Sequence, residues 1–581
     1  KQERRSAVVL KKSKQIIFWS AIAVCLAAAL LISLAVGSFP KTAEERSLPE
    51  AAEVLERPDC FRFLVAGSDA TSGLCDVLML ASFDMGEGRL SILQIPRDTY
   101  FAYSEGAYKK INAAARVLGG AEKLKDKLLR YRQVRNMVLQ QNAMVNLWGK
   151  ATPNSKITIT ASWAPLKRLQ AQADKDGLWA VKLDTPAATF DPQTIRISDG
   201  ETLTLRNILI GDVWVCSGQS NMEMPVKGFD RQPVENSLGY ILAANKQTNR
   251  IRMFSVKRAR SFEEQADCEG QWQVASPESV ANMSATAYFF ALNLTEAIDV
   301  PIGIINTSWG GTRIESWMPQ AALEDILSKE QIEHKKNVHS IKPTELYCAM
   351  IAPLRQFSAK GFLWYQGCSN LGDNDHYDTM MARMVKQWRS DWGDTENAMP
   401  FYYVMIAPHG YGASNDTAYP LFVENQTRAL EKIPNSGMAA TTDIGDDPCI
   451  HPAKKFEVGQ RLAALALQQT YGQLGYEPKA PQMAAYSIKD GKAVITMTNC
   501  ALGLIPNHDE IVGFEIAGAD KVFHKAQATL SATSEVTVWS DEVKQPVAVR
   551  YSFRNFAPGN LKNVYGIPAV PFRTDDWNDV K

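Results

Sequence analysis

The sequence predicts an α/β protein in which a doubly wound parallel-sheet domain is flanked by two β-sandwich-like domains, behind an N-terminal transmembrane helix and a truncated αβ segment. Three observations predict this. Apolar strand-like runs alternate with helical stretches over residues 207–480. Residues 137–206 and 481–581 show the two-residue apolar alternation of half-buried strands. Residues 15–40 carry no charge. The chain has 581 residues, which suits three or four domains of roughly 100–200 residues each. Its 45% hydrophobic content excludes a mostly disordered chain. Lys and Arg number 63 and so do Asp and Glu, so the overall basic footprint of a nucleic-acid partner is absent. Nine Cys with no CxxC pair exclude a small disulfide scaffold and speak against a structural metal site.

Taken in order, the amino end is basic over residues 1–15, with Lys1, Arg4, Arg5, Lys11, Lys12 and Lys14 against Glu3. Ile16 to Gly37 reads IIFWSAIAVCLAAALLISLAVG. About 20 apolar residues suffice to cross a bilayer. The positive-inside rule puts the basic end in the cytoplasm and everything after Lys41 outside, a single-pass anchor with an extracytoplasmic remainder. The alternative is a cleaved signal peptide, whose apolar core is usually shorter. The polar stretch 41–58 reads as a linker.

Residues 59–130 hold three strand-like runs, FRFLVAGSDA, CDVLMLASFD and LSILQIPRDTY, then a helical stretch KKINAAARVLGGAEKLKDKLL. Gly67-Ser68-Asp69, Asp76, Pro96-Arg97-Asp98 and Lys110-Ile111-Asn112-Ala113 resemble the LytR-CpsA-Psr family of cell-wall glycopolymer transferases. That resemblance implies a divalent metal held by acidic residues and a polyprenyl phosphate held by arginines, with Asp69, Asp76, Arg97 and Asp98 as candidates. It covers only about 75 residues, half of what the family domain needs. The segment therefore reads as a remnant that contributes anchoring and no chemistry, because a partial sandwich leaves a sheet edge and a face unburied.

In open α/β sheets, ligands sit beyond the carboxyl ends of the strands. In GDVWVCSGQSNMEM a buried strand breaks at Gly218, and the turn can present Ser220 as a nucleophile if a base takes its proton. In GIINTSWGGTRIESWMP, Gly310-Gly311 can bring a backbone N–H close to a substrate oxygen. GFLWYQGCSN ends a strand with Gln366, Gly367, Cys368 and Asn370, whose amides can complete an oxyanion hole. Of seven His residues, only His451 follows a core strand in an acid-bearing loop, DIGDDPCIHPAKKFEVGQRLA. Each motif taken singly also fits a plain turn or a structural histidine.

Together SGQSNM, NTSWGGTRIESW, WYQG-SN and IHP--K--VG-RLA resemble the sialate O-acetylesterase family of Ser-Gly-Asn-His hydrolases. The likeness spans about residues 137–581, from MVLQQNAMVNLWG to GIPAVPFRTDDW. It implies Ser220 as nucleophile and His451 as general base. The oxyanion would be held by the N–H groups of Ser220 and of Gly310 or Gly311, with the amide of Gln366 or Asn370. It implies an acetyl-enzyme intermediate, no metal or organic cofactor, and an O-acetylated sialic acid or related acetylated glycan as partner. Acetyl-xylan or another acetylated carbohydrate is the alternative substrate. A glycopolymer transferase remnant or an inert carbohydrate-binding module are the readings from other classes.

Two departures stand out. Cys368 and Cys449 occupy positions where that family often has an acid. The triad acid is then Asp446 or Asp447, with a Ser–His dyad also open, and Asp443 reads as a structural strand-end residue. The two cysteines could form a disulfide beside His451 or pack as separate thiols.

Overall fold

The computed structural model describes residues 136–373 and 375–577, together with five strands nearer the amino end. Those strands are β1 (Cys60–Ser68), β2 (Cys75–Asp84), β3 (Arg89–Ile95), β4 (Tyr100–Ser104) and β5 (Ala107–Lys110). The first three form one sheet in the order β1-β2-β3, and β4 and β5 form an antiparallel pair. Asp69, Arg97 and Asp98 lie outside the described residues, and Asp76 enters only as a position within β2. The expected basic tail 1–15, transmembrane helix 16–37 and linker 41–58 also lie outside them. Among the described residues no helix is long and apolar enough to cross a membrane.

From Asn136 onward the chain opens with β strands: β6 (Val138–Gln140), β7 (Met144–Lys150), β8 (Lys156–Ala161), β9 (Leu169–Gln172), β10 (Leu178–Asp184), β11 (Thr189–Ser198) and β12 (Thr202–Gly218). Their alternating residues Val145, Leu147, Ile157, Ile159 and Ile195 make one core. Strand β12 is 17 residues long and belongs to two domains. Its first half pairs antiparallel with β11. Its second half is buried without interruption from Ile208 to Gly218, as a strand covered on both faces must be. The boundary read between residues 206 and 207 thus falls inside a continuous strand.

The second half of β12 is the central strand of the α/β sheet. Five more parallel strands follow in sequence: β13 (Ile251–Val256), β15 (Ile302–Ser308), β16 (Gly361–Tyr365), β17 (Phe401–Val404) and β18 (Ser436–Ala439). The antiparallel β14 (Gly270–Val274) edges the sheet beside β13. The spatial order is β14-β13-β15-β12-β16-β17-β18. Val215 of β12 lies between Ile305 of β15 and Phe362 of β16. The chain leaves β12 first to one side and then to the other, so the crevice beyond Gly218 is a topological switch point, where such sheets bind ligands.

Five helices matter for the site: α1 (Ser220–Glu223), α2 (Ala285–Ile298), α3 (Tyr377–Asp391), α4 (Ala418–Lys432) and α5 (Lys455–Gln469). Tyr288 and Phe289 of α2 share a core with Val458 and Leu462 of α5 on one face of the sheet. That face tolerates only glycine at 459, where a Cβ would lie 2.5 Å from the Cβ of Phe289. Met380, Met384 and Trp388 of α3 pack with Phe422 and Val423 of α4 on the other face. Helices on both faces of a parallel sheet make the domain doubly wound.

The carboxyl-terminal residues form two four-stranded antiparallel sheets. One carries Met483–Lys489, Lys492–Met497, Glu535–Trp539 and Gln527–Ala532, and the other Phe514–Ala517 and Ala548–Tyr551 at its centre. Ile495, Val536, Phe514 and Tyr551 lie in a single core between them, which is sandwich-like packing.

Candidate active site

Ser220 begins α1 directly beyond the end of β12. Gly218 makes the turn with φ +140°, and a Cβ there would sit 2.2 Å from the carbonyl oxygen of Tyr365, so only glycine lets β12 and β16 approach this closely. Gln219 ties the turn to the neighbouring loop, its Oε1 accepting from the N–H groups of Gly367 at 3.0 Å and Ser369 at 3.3 Å. Asn221 is buried and donates Nδ2–H to the carbonyl of Ile450 at 3.0 Å. Ser220 is thus held between two buried, anchored amides.

His451 lies across from it. Its Nε2 is 2.7 Å from Ser220 Oγ, and its Nδ1 is 2.5 Å from Oε1 of Gln232. An amide oxygen only accepts, so Nδ1 carries the proton and Nε2 offers its lone pair to the serine hydroxyl. Burial pushes the imidazole down to about 4, with Lys455 and His409 adding to it, so at neutral pH the ring is an uncharged base. The edge of Phe229 packs on the ring with centroids 5.3 Å apart. Phe229 and Gln232 exchange both backbone hydrogen bonds at 3.0 Å, a tight turn that fixes Gln232.

The acids expected beside the histidine stand elsewhere. The carboxylate of Asp447 accepts from Ser414 Oγ at 2.7 Å. The backbone carbonyl of Asp446, rather than its carboxylate, meets a histidine, and that histidine is His409, at 3.1 Å. Both ring nitrogens of His451 are already taken, so neither Asp446 nor Asp447 completes a triad in this geometry. Asp443 forms a bidentate pair with Arg461, both bonds 2.8 Å, and accepts from Lys562 at 2.8 Å. Burial alone would raise its pKa, but these two cations hold it below the usual carboxylate range. Sequence reasoning missed Gln232 altogether. It lies 219 residues before His451.

The expected oxyanion residues divide. Gly310 packs on the nucleophile, its Cβ position 3.1 Å from Ser220 Cβ and 3.1 Å from Glu223 Oε2. Its N–H donates to that same carboxylate oxygen at 2.8 Å. Glu223 is in turn held by Arg258 Nε at 2.7 Å, whose guanidinium lies 5.3 Å over the ring of Trp309. Gly311 follows with φ +74° and open space around its Cβ position. The Ser220 N–H, at the first position of a helix, has no intrahelical acceptor. Gln366 and Asn370, in contrast, are fully buried. Gln366 Nε2 donates to Asn370 Oδ1 at 2.8 Å and to Thr312 O at 3.1 Å, and its Oε1 accepts from Tyr377 at 2.7 Å. Asn370 Nδ2 donates to Glu315 at 3.0 Å, and its Oδ1 also takes the Ile314 N–H at 3.0 Å. These amides brace the loops, and the hydrogens of Gln366 are spent before a substrate arrives.

The expected disulfide is not formed. Cys368 and Cys449 are free thiols with separate partners. Cys368 Sγ accepts from Tyr411 at 3.6 Å, and Cys449 Sγ donates to the His451 carbonyl at 3.3 Å. Among the described residues no group of three His, Cys, Asp or Glu side chains is placed to hold a metal ion. The arrangement can move the Ser220 proton onto His451 and present a serine oxygen to an electrophilic carbon.

Comparison with known proteins identifies the family. Residues 210–468 match the family model of carbohydrate esterases described as sialic acid-specific acetylesterase. The crystal structure of a carbohydrate acetylesterase from Xanthomonas citri is 37% identical, with a TM-score of 0.68, covering 76% of this chain and 97% of that one. The sialate O-acetylesterase of Pongo abelii is 28% identical over 75% of this chain and 90% of its own length. The Homo sapiens sialate O-acetylesterase is 29% identical over 62% of this chain and 75% of its own. The chain therefore belongs to the sialic acid-specific acetylesterase family of carbohydrate esterases and is a carboxylic ester hydrolase.

Proposed function

We propose that the protein removes O-acetyl groups from sialic acids through an acetyl-enzyme on Ser220. The observation that carries the reading is the 2.7 Å contact of Ser220 Oγ with His451 Nε2, the other ring nitrogen being held by Gln232. His451 takes the hydroxyl proton as Ser220 Oγ bonds to the acetyl carbon. The tetrahedral oxyanion is held by the Ser220 N–H and by the Gly311 N–H, the Gly310 N–H being taken by Glu223. The sugar oxygen leaves with the proton from His451. Water, deprotonated by the same imidazole, then releases acetate and restores the serine.

The test is acetate release from O-acetylated sialic acid by the parent, Ser220→Ala and His451→Ala, each shown to be folded by circular dichroism. Each variant should lose the activity down to a residue of about 10³–10⁴-fold over water. Full release by folded Ser220→Ala would falsify the serine reading. A second reading, another acetylated carbohydrate as substrate, is favoured by the description of the Xanthomonas citri relative as a carbohydrate acetylesterase. Acetylated xylan, assayed in parallel, separates the two. We also propose an extracytoplasmic enzyme anchored through residues 16–37, supported by the charge asymmetry around that apolar run. Recovery of the full chain in the soluble fraction, uncleaved, would overturn the anchor.

A further inference from the structure

Lys455 is the first residue of α5, and its side chain is fully buried. Among the described residues no carboxylate lies within ion-pair distance of it. Its ammonium donates to Asn221 Oδ1 at 2.7 Å and to the Pro452 carbonyl at 2.8 Å. It stands 5.9 Å from the centre of the Tyr365 ring. Asn221 follows Ser220 directly, and its own Nδ2 reaches the carbonyl of Ile450, the residue before His451. The Asn221 carbonyl accepts from Thr286 at 3.1 Å, which fixes it to α2. The turn of the nucleophile is therefore tied to the histidine loop on both sides of His451, through one amide and one lysine.

A neutral donor could make the same two hydrogen bonds, and burying a cation is costly. The charge itself therefore needs an account. The titratable and charged groups facing His451 are Ser220 from α1, Lys455 from α5, His409 from the loop after β17, and Cys449 on its own loop. Gln232 and Phe229 also touch the ring and are neutral. Lys455 itself faces the thiols of Cys449 and Cys368. A thiol leaves the positive field uncompensated where a carboxylate would cancel it. That field disfavours the imidazolium.

We propose that Lys455 is a positioning residue for the Ser220–His451 pair: through Asn221 it fixes the turn of the nucleophile to the loop of the base, and its uncompensated charge keeps the imidazole unprotonated in acidic media. The inference rests on the reading of Ser220 and His451 as nucleophile and base. Burial brings the Lys455 ammonium down to about 7, so the charge is in place in the acid range where the base must be protected.

The test measures p-nitrophenyl acetate hydrolysis from pH 3.5 to 8 by the parent, Ser220→Ala, Lys455→Met and Cys368→Glu. In Lys455→Met, kcat should fall about 10- to 100-fold with KM within about twofold, as expected for a misplaced reacting pair. The acid limb of kcat/KM should move up by about one pH unit, because a cation near the base is gone. Cys368→Glu gives Lys455 a carboxylate without removing its hydrogen bonds, so its limb should move up in the same direction. Should Lys455→Met fail to fold, Cys368→Glu alone decides. An acid limb at the parent position in folded Lys455→Met or in Cys368→Glu overturns the proposal. Parent-like activity in Ser220→Ala overturns the serine reading beneath it, and is a different result.

Discussion

Gln232 accepts the Nδ1–H of His451 at 2.5 Å, so a neutral amide stands where a hydrolytic triad has its carboxylate. The amide fixes the tautomer and the plane of the ring, which are two of the acid's three tasks. It cannot match the third, stabilising the imidazolium that forms when the serine proton arrives. A triad acid also raises the pKa of its histidine.

Replacing Gln232 by Glu should restore that third task. We expect Gln232→Glu to raise kcat and to move the acid limb of kcat/KM upward by about one to two pH units. Gln232→Ala should lower kcat by about 10- to 100-fold, because the ring is free to rotate and to take the wrong tautomer. A pH-rate series on the three proteins checks both. An unchanged limb in Gln232→Glu would show that the side chain does not hold Nδ1 in solution.

Asp446 and Asp447 make the complementary case. Neither reaches the imidazole, since Asp447 is bonded to Ser414 and only the backbone carbonyl of Asp446 meets a ring nitrogen, that of His409. Asp446→Asn and Asp447→Asn should each keep kcat within about threefold of the parent. Asp447→Asn should lose about 1 kcal/mol of stability with its charged hydrogen bond to Ser414. A drop in kcat of several hundredfold for either variant, without unfolding, would return the acid role to that residue.

The strand ends were legible because their signals are local. An apolar run broken by Gly218 places Ser220 at a sheet end whatever the rest of the chain does, and the same holds for Gly310 and for His451 ahead of α5. Gln232 was not legible, because its contact depends on a turn at Phe229–Gln232 closing against a loop from the far side of the domain. Nothing in an isolated glutamine marks it as an orienting group, whereas an aspartate near a histidine draws attention. Gln366 and Asn370 were misread for a related reason. Their position at a strand end suited an oxyanion hole, but the partners that occupy them come from two other segments, Thr312 and Glu315 from the loop after β15 and Tyr377 from α3. The two β domains were legible by alternation, yet the run of β12 through the boundary was hidden, since a strand can change from one-sided to two-sided burial without a break.

The two glycines after β15 should behave differently. A methyl group at Gly310 would press on Ser220 Cβ and Glu223 Oε2, each 3.1 Å away. Gly310→Ala should therefore displace the nucleophile and cut kcat by about tenfold or more, with little change in thermal stability. At Gly311 the added methyl meets open space, but φ is +74°. Gly311→Ala should cost about 1 kcal/mol of stability through backbone strain and keep kcat within about threefold. Thermal melts and kinetics on both proteins separate the effects, and the reverse pattern would contradict the packing of Gly310 on Ser220.

The same depressed imidazole that serves catalysis should weaken the fold in acid. Burial, with Lys455 and His409 adding to it, brings His451 from an ordinary value near 6.5 down to about 4. Below pH 6.5 the unfolded chain binds a proton that the native ring refuses, so stability falls as pH drops through that window, until the native ring itself is protonated near pH 4. The full linkage would be about 3 kcal/mol, and solvent at the half-buried ring leaves about 1–2 kcal/mol. Lys455 acts in the same sense but in a separate window, between about 7 and its ordinary 10.5, where stability rises with pH. The two are therefore separable by pH alone. His451→Gln removes the lower window while keeping a polar group against Ser220 and Gln232. Urea unfolding of the parent and of His451→Gln at pH 7 and pH 4.5 measures the difference. The parent should lose about 1–2 kcal/mol more than the variant between the two pH values. Parallel losses in the two proteins would mean that His451 is not held neutral by its surroundings, and the base would then have to be found in its ordinary protonation range.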